Sequence, residues 1–295
     1  MSDAPPSFNP SPSAPKLRLP ALACDAHVHV FGPQRVFPFA ANRPFTPADA
    51  PKETLFALHA ALGIGRCVIV QSSCHGFDNT VVADAVAAKS GAYCGVALLP
   101  TTVDDAELQR LDALGFRGVR FNFMHHLGTA APIADVIALG DRLARMGWHL
   151  QIHFDSTRIA DLVPWLERCA VPVVIDHMGR VDASLGLDQP AFRQLRDLLH
   201  KRKFWVKVSG VDRVSRRPPP HEDAIPFART LVTEFGDRTL WGTDWPHPNP
   251  AAGIPDDGVL VDLLGEIAPA ESQRHALLVD NPRRLYGFPI ALRSP

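Results

Sequence analysis

The stretch CDAHVHV places His27 and His29 two positions apart in an apolar run. Residues i and i+2 of an extended strand point to the same face. Two imidazoles therefore project together, able to hold a metal, to polarise a substrate, or simply to pack. Other chains of polar residues follow apolar runs downstream. QSSCH offers Gln71, Ser72, Ser73 and His75, and RFNFMHH offers Arg120, Asn122, His125 and His126. HFD offers His153 and Asp155, IDHMGR offers Asp176, His177 and Arg180, and VKVSGVDR offers Lys207, Ser209 and Arg213. GTDWPHPN ends the series with Asp244 and His247.

The elements that carry these residues follow from periodicity. Eight short, almost continuous apolar runs read as strands buried on both faces: 21–30, 66–73, 92–99, 118–123, 149–154, 171–178, 204–209 and 239–244. Helical patterns at 52–63, 79–91, 104–115, 133–147 and 227–236 lie between them. Eight strands alternating with helices over 295 residues predict a (β/α)8 TIM barrel in a single domain spanning 21–295. An open doubly wound sheet would place a glycine-rich turn after its first strand. This chain has a long loop rich in Pro and Phe there, which suits a lid. In a barrel the active site lies at the C-terminal strand ends. The polar residues above would thus meet at one mouth, whereas His59, His149, His200 and His275 fall on helices or at a strand start.

Composition excludes several classes. Hydrophobic residues make up 46% and charged residues 21%, the profile of an ordinary globular chain. The net charge is −1, so no basic excess points to nucleic acid. No apolar run is long enough to span a membrane. Five scattered cysteines without a C-x-x-C suit a reducing cytoplasm. Residues 1–20, rich in Pro and Ser, read as a disordered or surface-hugging arm. Nothing in the pattern specifies an oligomeric state.

The motifs HVH, DHMGR and WGTDWPHPN, with HVFGP, QSSCHGFDN, GVRFNF, PFAR and LLVDNPRRLY, resemble the amidohydrolase superfamily from about residue 24 to 286. They are most similar to its 2-pyrone-4,6-dicarboxylate lactonase branch. The resemblance implies a barrel that hydrolyses a small anionic lactone from aromatic or sugar-acid breakdown. It implies that His27, His29 and His177 surround the lactone carbonyl and that Asp244 is the general base. It implies that Arg120 and Arg213 bind substrate carboxylates and that Ser73 lies in the pocket. Three pocket positions depart from those lactonases, which carry tyrosines in place of Phe45 and His153 and an arginine in the segment of His126. Most superfamily members hold divalent ions with such residues. His27, His29, His153, His177 and Asp244 offer a set suited to one Zn²⁺ or Mn²⁺. Hydrolysis without a cofactor stands beside that reading. So do a metal-dependent decarboxylase or amide hydrolase on the same barrel and, from another class, a non-catalytic small-molecule binder.

Overall fold

The computed structural model describes residues 6–127, 131–250 and 253–290. Eight parallel strands form one sheet in sequence order: β1 (Cys24–Val28), β2 (Arg66–Val70), β3 (Tyr93–Ala97), β4 (Phe116–Phe123), β5 (His149–Phe154), β6 (Val173–Ile175), β7 (Phe204–Lys207) and β8 (Thr239–Leu240). Helices Lys52–Leu62, Thr80–Ala87, Asp105–Ala113, Ile159–Leu166, Pro190–Leu199 and Ile225–Phe235 lie between strands. This is the expected (β/α)8 barrel. The helical pattern at 133–147 is divided into Ile133–Ala138 and Gly140–Met146. Among the described residues, no helix is long and apolar enough to cross a membrane.

The last strand is shorter than its apolar run because the chain leaves the ladder after Leu240 to run against β1. Three backbone bonds close the barrel there: Ala26 N–H to Trp241 O (2.8 Å), Asp244 N–H to His27 O (2.8 Å) and His29 N–H to Trp245 O (2.7 Å). Gly242 permits this approach, since a Cβ at that position would lie 2.5 Å from the His27 nitrogen.

Apolar packing divides into two shells. Cys24, Ala26, Val68, Val70, Val96, Val174 and Leu240 form one cluster, with Trp205 and Tyr286. Val28, Ile69, Val119, Ile152, Ile175 and Val206 belong to the other, which they share with helix residues such as Leu55, Leu108, Leu195 and Leu231. Of the expected arm, residues 1–5 lie outside the described residues. The part from residue 6 lies along the barrel. Phe8 packs on Trp245 with ring centroids 5.1 Å apart, and Ser13 bonds Asp256 through Oγ at 2.7 Å.

His149, at the start of β5, is buried beside Tyr286. Burial, reinforced by Lys207, pushes its pKa down to about 3. The unfolded chain takes up a proton near pH 6.5 that the folded chain refuses. This group's contribution to stability is therefore intact above about pH 6.5 and declines as pH falls toward 3. Urea unfolding across that window should show stability falling with pH. In His149→Gln the slope should be shallower, by at most about 1.4 kcal/mol per pH unit. An unchanged slope would remove the ring from the acid response.

Candidate active site

The first strand does not keep simple alternation. The register of β1 against β2 shifts between Asp25 and Val28. A bulge of this kind re-aims side chains. Asp25 turns outward, where Oδ2 accepts from Thr243 Oγ1 (2.6 Å) and lies 3.5 Å from His59 Nε2. His27 turns inward, with its Nδ1 3.2 Å from Lys207 Nζ and 3.3 Å from Asp176 Oδ1. His29 follows on the same face, and its Nδ1 lies 2.7 Å from Val70 O.

Asp244 stands at the seam just beyond β8, with a left-handed φ of 64°. Its Oδ2 receives Arg213 Nε (2.8 Å) and Nη2 (2.7 Å). Its Oδ1 faces three imidazoles: His29 Nε2 at 3.5 Å, His27 Nε2 at 3.6 Å and His177 Nε2 at 3.8 Å. Burial raises the Asp244 pKa, but the Arg213 guanidinium and the neighbouring His177 outweigh it. The carboxyl stays well below its ordinary range. Burial drives the His177 pKa down to about 4 and that of His27 well below its usual value. At neutral pH the site is thus an ionised carboxylate beside the neutral rings of His27 and His177. Gly210 leaves room for this packing, since a Cβ there would lie 2.6 Å from His177 Nδ1.

Below lies a fully buried polar layer. Asp176 Oδ2 accepts from Arg120 Nε (2.8 Å) and Gln151 Nε2 (3.0 Å), and Lys207 Nζ lies 3.7 Å from Oδ1. Lys207 also donates to Gln151 Oε1 at 2.9 Å. Burial favours a neutral Asp176, yet His27, Arg120 and Lys207 together hold its pKa well below the ordinary range. Burial lowers Lys207 to about 8, with Asp176 opposing the shift.

Above Asp244 opens a cavity of about 270 Å³. Every expected site residue lines it except His27, which lies beneath: His29, Phe45, Ser73, Arg120, His126, His153, His177, Arg213 and Asp244. Phe45 comes from the long loop after β1, so that loop does border the mouth. Arg120 and Arg213 do not stand there as bare cations, because each is paired with an aspartate. Arg180 also lines the cavity and has no ion-pair partner among the described residues. Burial and the neighbouring Arg213 lower its pKa to about 10, which leaves it charged at pH 7. His247 is turned away and pairs with Asp257 at 3.1 Å. His125 is exposed. Sequence reasoning placed Asp176 and Lys207 at the mouth, whereas both lie in the buried layer beneath it, and it gave no place to Asp25 or Gln151. A charged residue inside an apolar strand run, such as Asp25 or Lys207, was the available signal.

Could these residues hold a metal? His27 Nε2 and Asp244 Oδ1 are buried without a hydrogen-bond partner. His27, His177 and Asp244 bring three ligand atoms within 4.8 Å of one another. Metal–nitrogen bonds of about 2.1 Å at tetrahedral angles put ligand atoms roughly 3.4 Å apart, close to the spacings around Oδ1. Val70 O can only accept, so His29 carries its proton on Nδ1 and presents a lone pair from Nε2. Asp176 behind His27 Nδ1 resembles the carboxylate that orients a ligating imidazole. The donors fit one divalent ion. Of the five expected ligands, His29 and His153 fall outside the three-atom group; His153 Nδ1 instead lies 3.2 Å from Asn122 Oδ1.

The amidohydrolase family pattern matches residues 24–288. The chain is 45% identical over 285 residues to 2-pyrone-4,6-dicarboxylate hydrolase of Comamonas testosteroni, covering 94% of this chain and 93% of that protein. It is 40% identical over 275 residues to 4-sulfomuconolactone hydrolase of Hydrogenophaga intermedia, covering 91% and 90%. A solved structure from Pseudomonas putida, assigned as a 2-pyrone-4,6-dicarboxylic acid hydrolase, is similar at 34% identity and a TM-score of 0.81, covering 92% of this chain and all of that one.

The buried layer yields a stability test. Asp176→Asn keeps the shape but leaves Arg120 and Lys207 without their counter-charge. Removing one partner of a buried ion pair costs about 3–5 kcal/mol, so urea denaturation should show a loss of that order. A loss below about 1 kcal/mol would mean that the carboxylate does not hold the layer together.

Proposed function

The chain belongs to the amidohydrolase family, and on that premise we propose that it is a lactonase, hydrolysing a small carboxylated lactone of the 2-pyrone-4,6-dicarboxylate kind in aromatic or sugar-acid breakdown. The observation that carries this reading is one ionised carboxylate oxygen faced by three imidazoles at the floor of a cavity lined with arginines. The relatives support it, because two hydrolases of different lactones share most of this chain's length. Five buried, unpaired cysteines suit a reducing cytosol, where we place the enzyme.

The geometry suggests a division of labour. Water between Asp244 and the ester gives a proton to Oδ1 and its oxygen to the lactone carbonyl. Arg213 holds Oδ2 and so fixes the direction of the other oxygen; its role is positioning rather than gripping substrate. A carboxylate with so low a pKa is a weak base, and the deficit is offset by stabilising the oxyanion as it forms. In hydrolysis without a metal ion, His27 and His177 serve there in the tautomer that bears hydrogen on Nε2. Collapse breaks the ring C–O bond, the departing oxygen takes the proton held by Asp244, and a ring-opened acid leaves. A divalent ion such as Zn²⁺ or Mn²⁺ held by His27, His177 and Asp244 would lower the pKa of a bound water and polarise the ester carbonyl. Arg180, with the Nη groups of Arg120, receives the substrate carboxylate through charge-assisted hydrogen bonds. Ser73, His126, His153 and Phe45 complete the substrate pocket.

The direct test is acid release from a panel of carboxylated lactones followed by pH-stat, since ring opening liberates acid whereas decarboxylation consumes a proton. With the lactone that is opened, Asp244→Asn should lower turnover by roughly 10²–10⁴ while circular dichroism stays unchanged. Near-native turnover in that variant would exclude Asp244 as the base.

Arg180→Met should raise KM about tenfold or more with kcat changed far less, because a lost charged hydrogen bond is worth about 1.5–3 kcal/mol. Unchanged KM would show that the cation does not meet the substrate.

A further inference from the structure

A second cavity, of about 570 Å³, lies beside the one described. Its apolar walls are Phe77, Leu98, Leu99, Pro100 and Phe121. Ser73 and Leu127 line both cavities. The partition between them is slight: Asn122 Nδ2 donates to Ser73 Oγ over 3.4 Å, a weak bond between small side chains. We infer that the active site has two lobes and that the substrate carries an uncharged, apolar arm lying past Ser73 in the second.

Three observations support this, and the inference rests on the lactonase reading. The lobes differ in charge. The inner one holds three arginines, whereas no Lys, Arg, Asp or Glu lines the outer one among the described residues. His75 also lines the outer lobe, but it is held neutral. Its Nε2 accepts from Gly32 N–H (3.3 Å) and its Nδ1 lies 3.2 Å from Pro38 O, which can only accept. A charged arm would be desolvated there without a counter-ion, an expensive step. Size agrees: the inner cavity alone sits at the lower edge of the roughly 300–1,000 Å³ usual for ligand sites, with room for a small ring and little else. The rim agrees as well. Phe77 is 60% exposed, a large apolar side chain open to solvent where an entering arm would cover it.

The probes are 5-oxotetrahydrofuran-3-carboxylate, unsubstituted and with a butyl group on the carbon next to the ring oxygen. The wild-type enzyme should show kcat/KM at least about tenfold higher for the butyl compound, since even one methylene in an apolar pocket is worth 10-fold or more. Phe77→Asp, a change at the exposed rim, should abolish most of that gain and leave the unsubstituted lactone within about twofold of wild type. Hydrolysis of the unsubstituted lactone with no gain from the butyl group would overturn the second lobe and leave the lactonase reading standing. If neither lactone is opened, that reading fails, and calorimetry with the matching cyclopentanone carboxylates decides the lobe by itself. Tighter binding of the butyl ketone by about tenfold sustains it, and equal binding overturns it.

Discussion

A single buried carboxylate, that of Asp176, ties the barrel together. It follows β6 and meets Arg120 from β4, Gln151 from β5, Lys207 from β7 and His27 from β1. A charge taken out of water is tolerated only where its partners are close and well aimed. Five of eight strands are thereby referred to one point. The arrangement also sets direction. With Nδ1 facing Asp176 and Lys207, His27 turns Nε2 to Asp244 Oδ1 at 3.6 Å, and Arg120, held through Nε, still lines the mouth.

A second carboxylate works from the other side of β1. Asp25 accepts from the Thr243 backbone N–H (3.1 Å) and hydroxyl and from the His27 backbone N–H (3.1 Å). It thus joins the bulged strand to the segment that ends at Asp244. That segment is itself strained. Asp244, His247 and Asn249 all have φ between 54° and 64°, an uncommon region for residues other than glycine. Such conformations persist where surrounding bonds over-determine them. Here the bonds are Asp244 N–H to His27 O and His247 N–H to Asp244 O, with Phe8 packed on Trp245 from outside. The energetic burden falls where the Asp244 carboxylate is aimed into the cavity.

The electrostatics of the mouth follow from these two anchors. Two of its three arginines are matched by Asp176 and Asp244, and burial keeps the rings of His27, His153 and His177 neutral. Arg180 is left as an uncompensated positive charge among the described residues. A chain whose formal net charge is −1 therefore has a local positive field where an anionic ring would enter.

The barrel was legible because strand and helix periods are local properties. Alternation of apolar runs and helical patterns needs only neighbours in the chain, and the rule that barrel sites lie at C-terminal strand ends then gathered His29, Arg120, His177, Arg213 and Asp244 at one mouth. What tertiary structure decided was pairing. The bulge that turns Asp25 outward while His27 turns inward comes from the register of β1 against β2, which a strand's own sequence does not contain. Whether Arg120 and Arg213 meet a substrate or a protein carboxylate depends on Asp176 and Asp244, which stand 56 and 31 residues away. Arg180 became a candidate clamp only once the others were seen to be paired. Side-chain direction along one strand is a short-range consequence of backbone geometry, whereas the partner a buried charge finds is fixed by how distant strands close into the barrel.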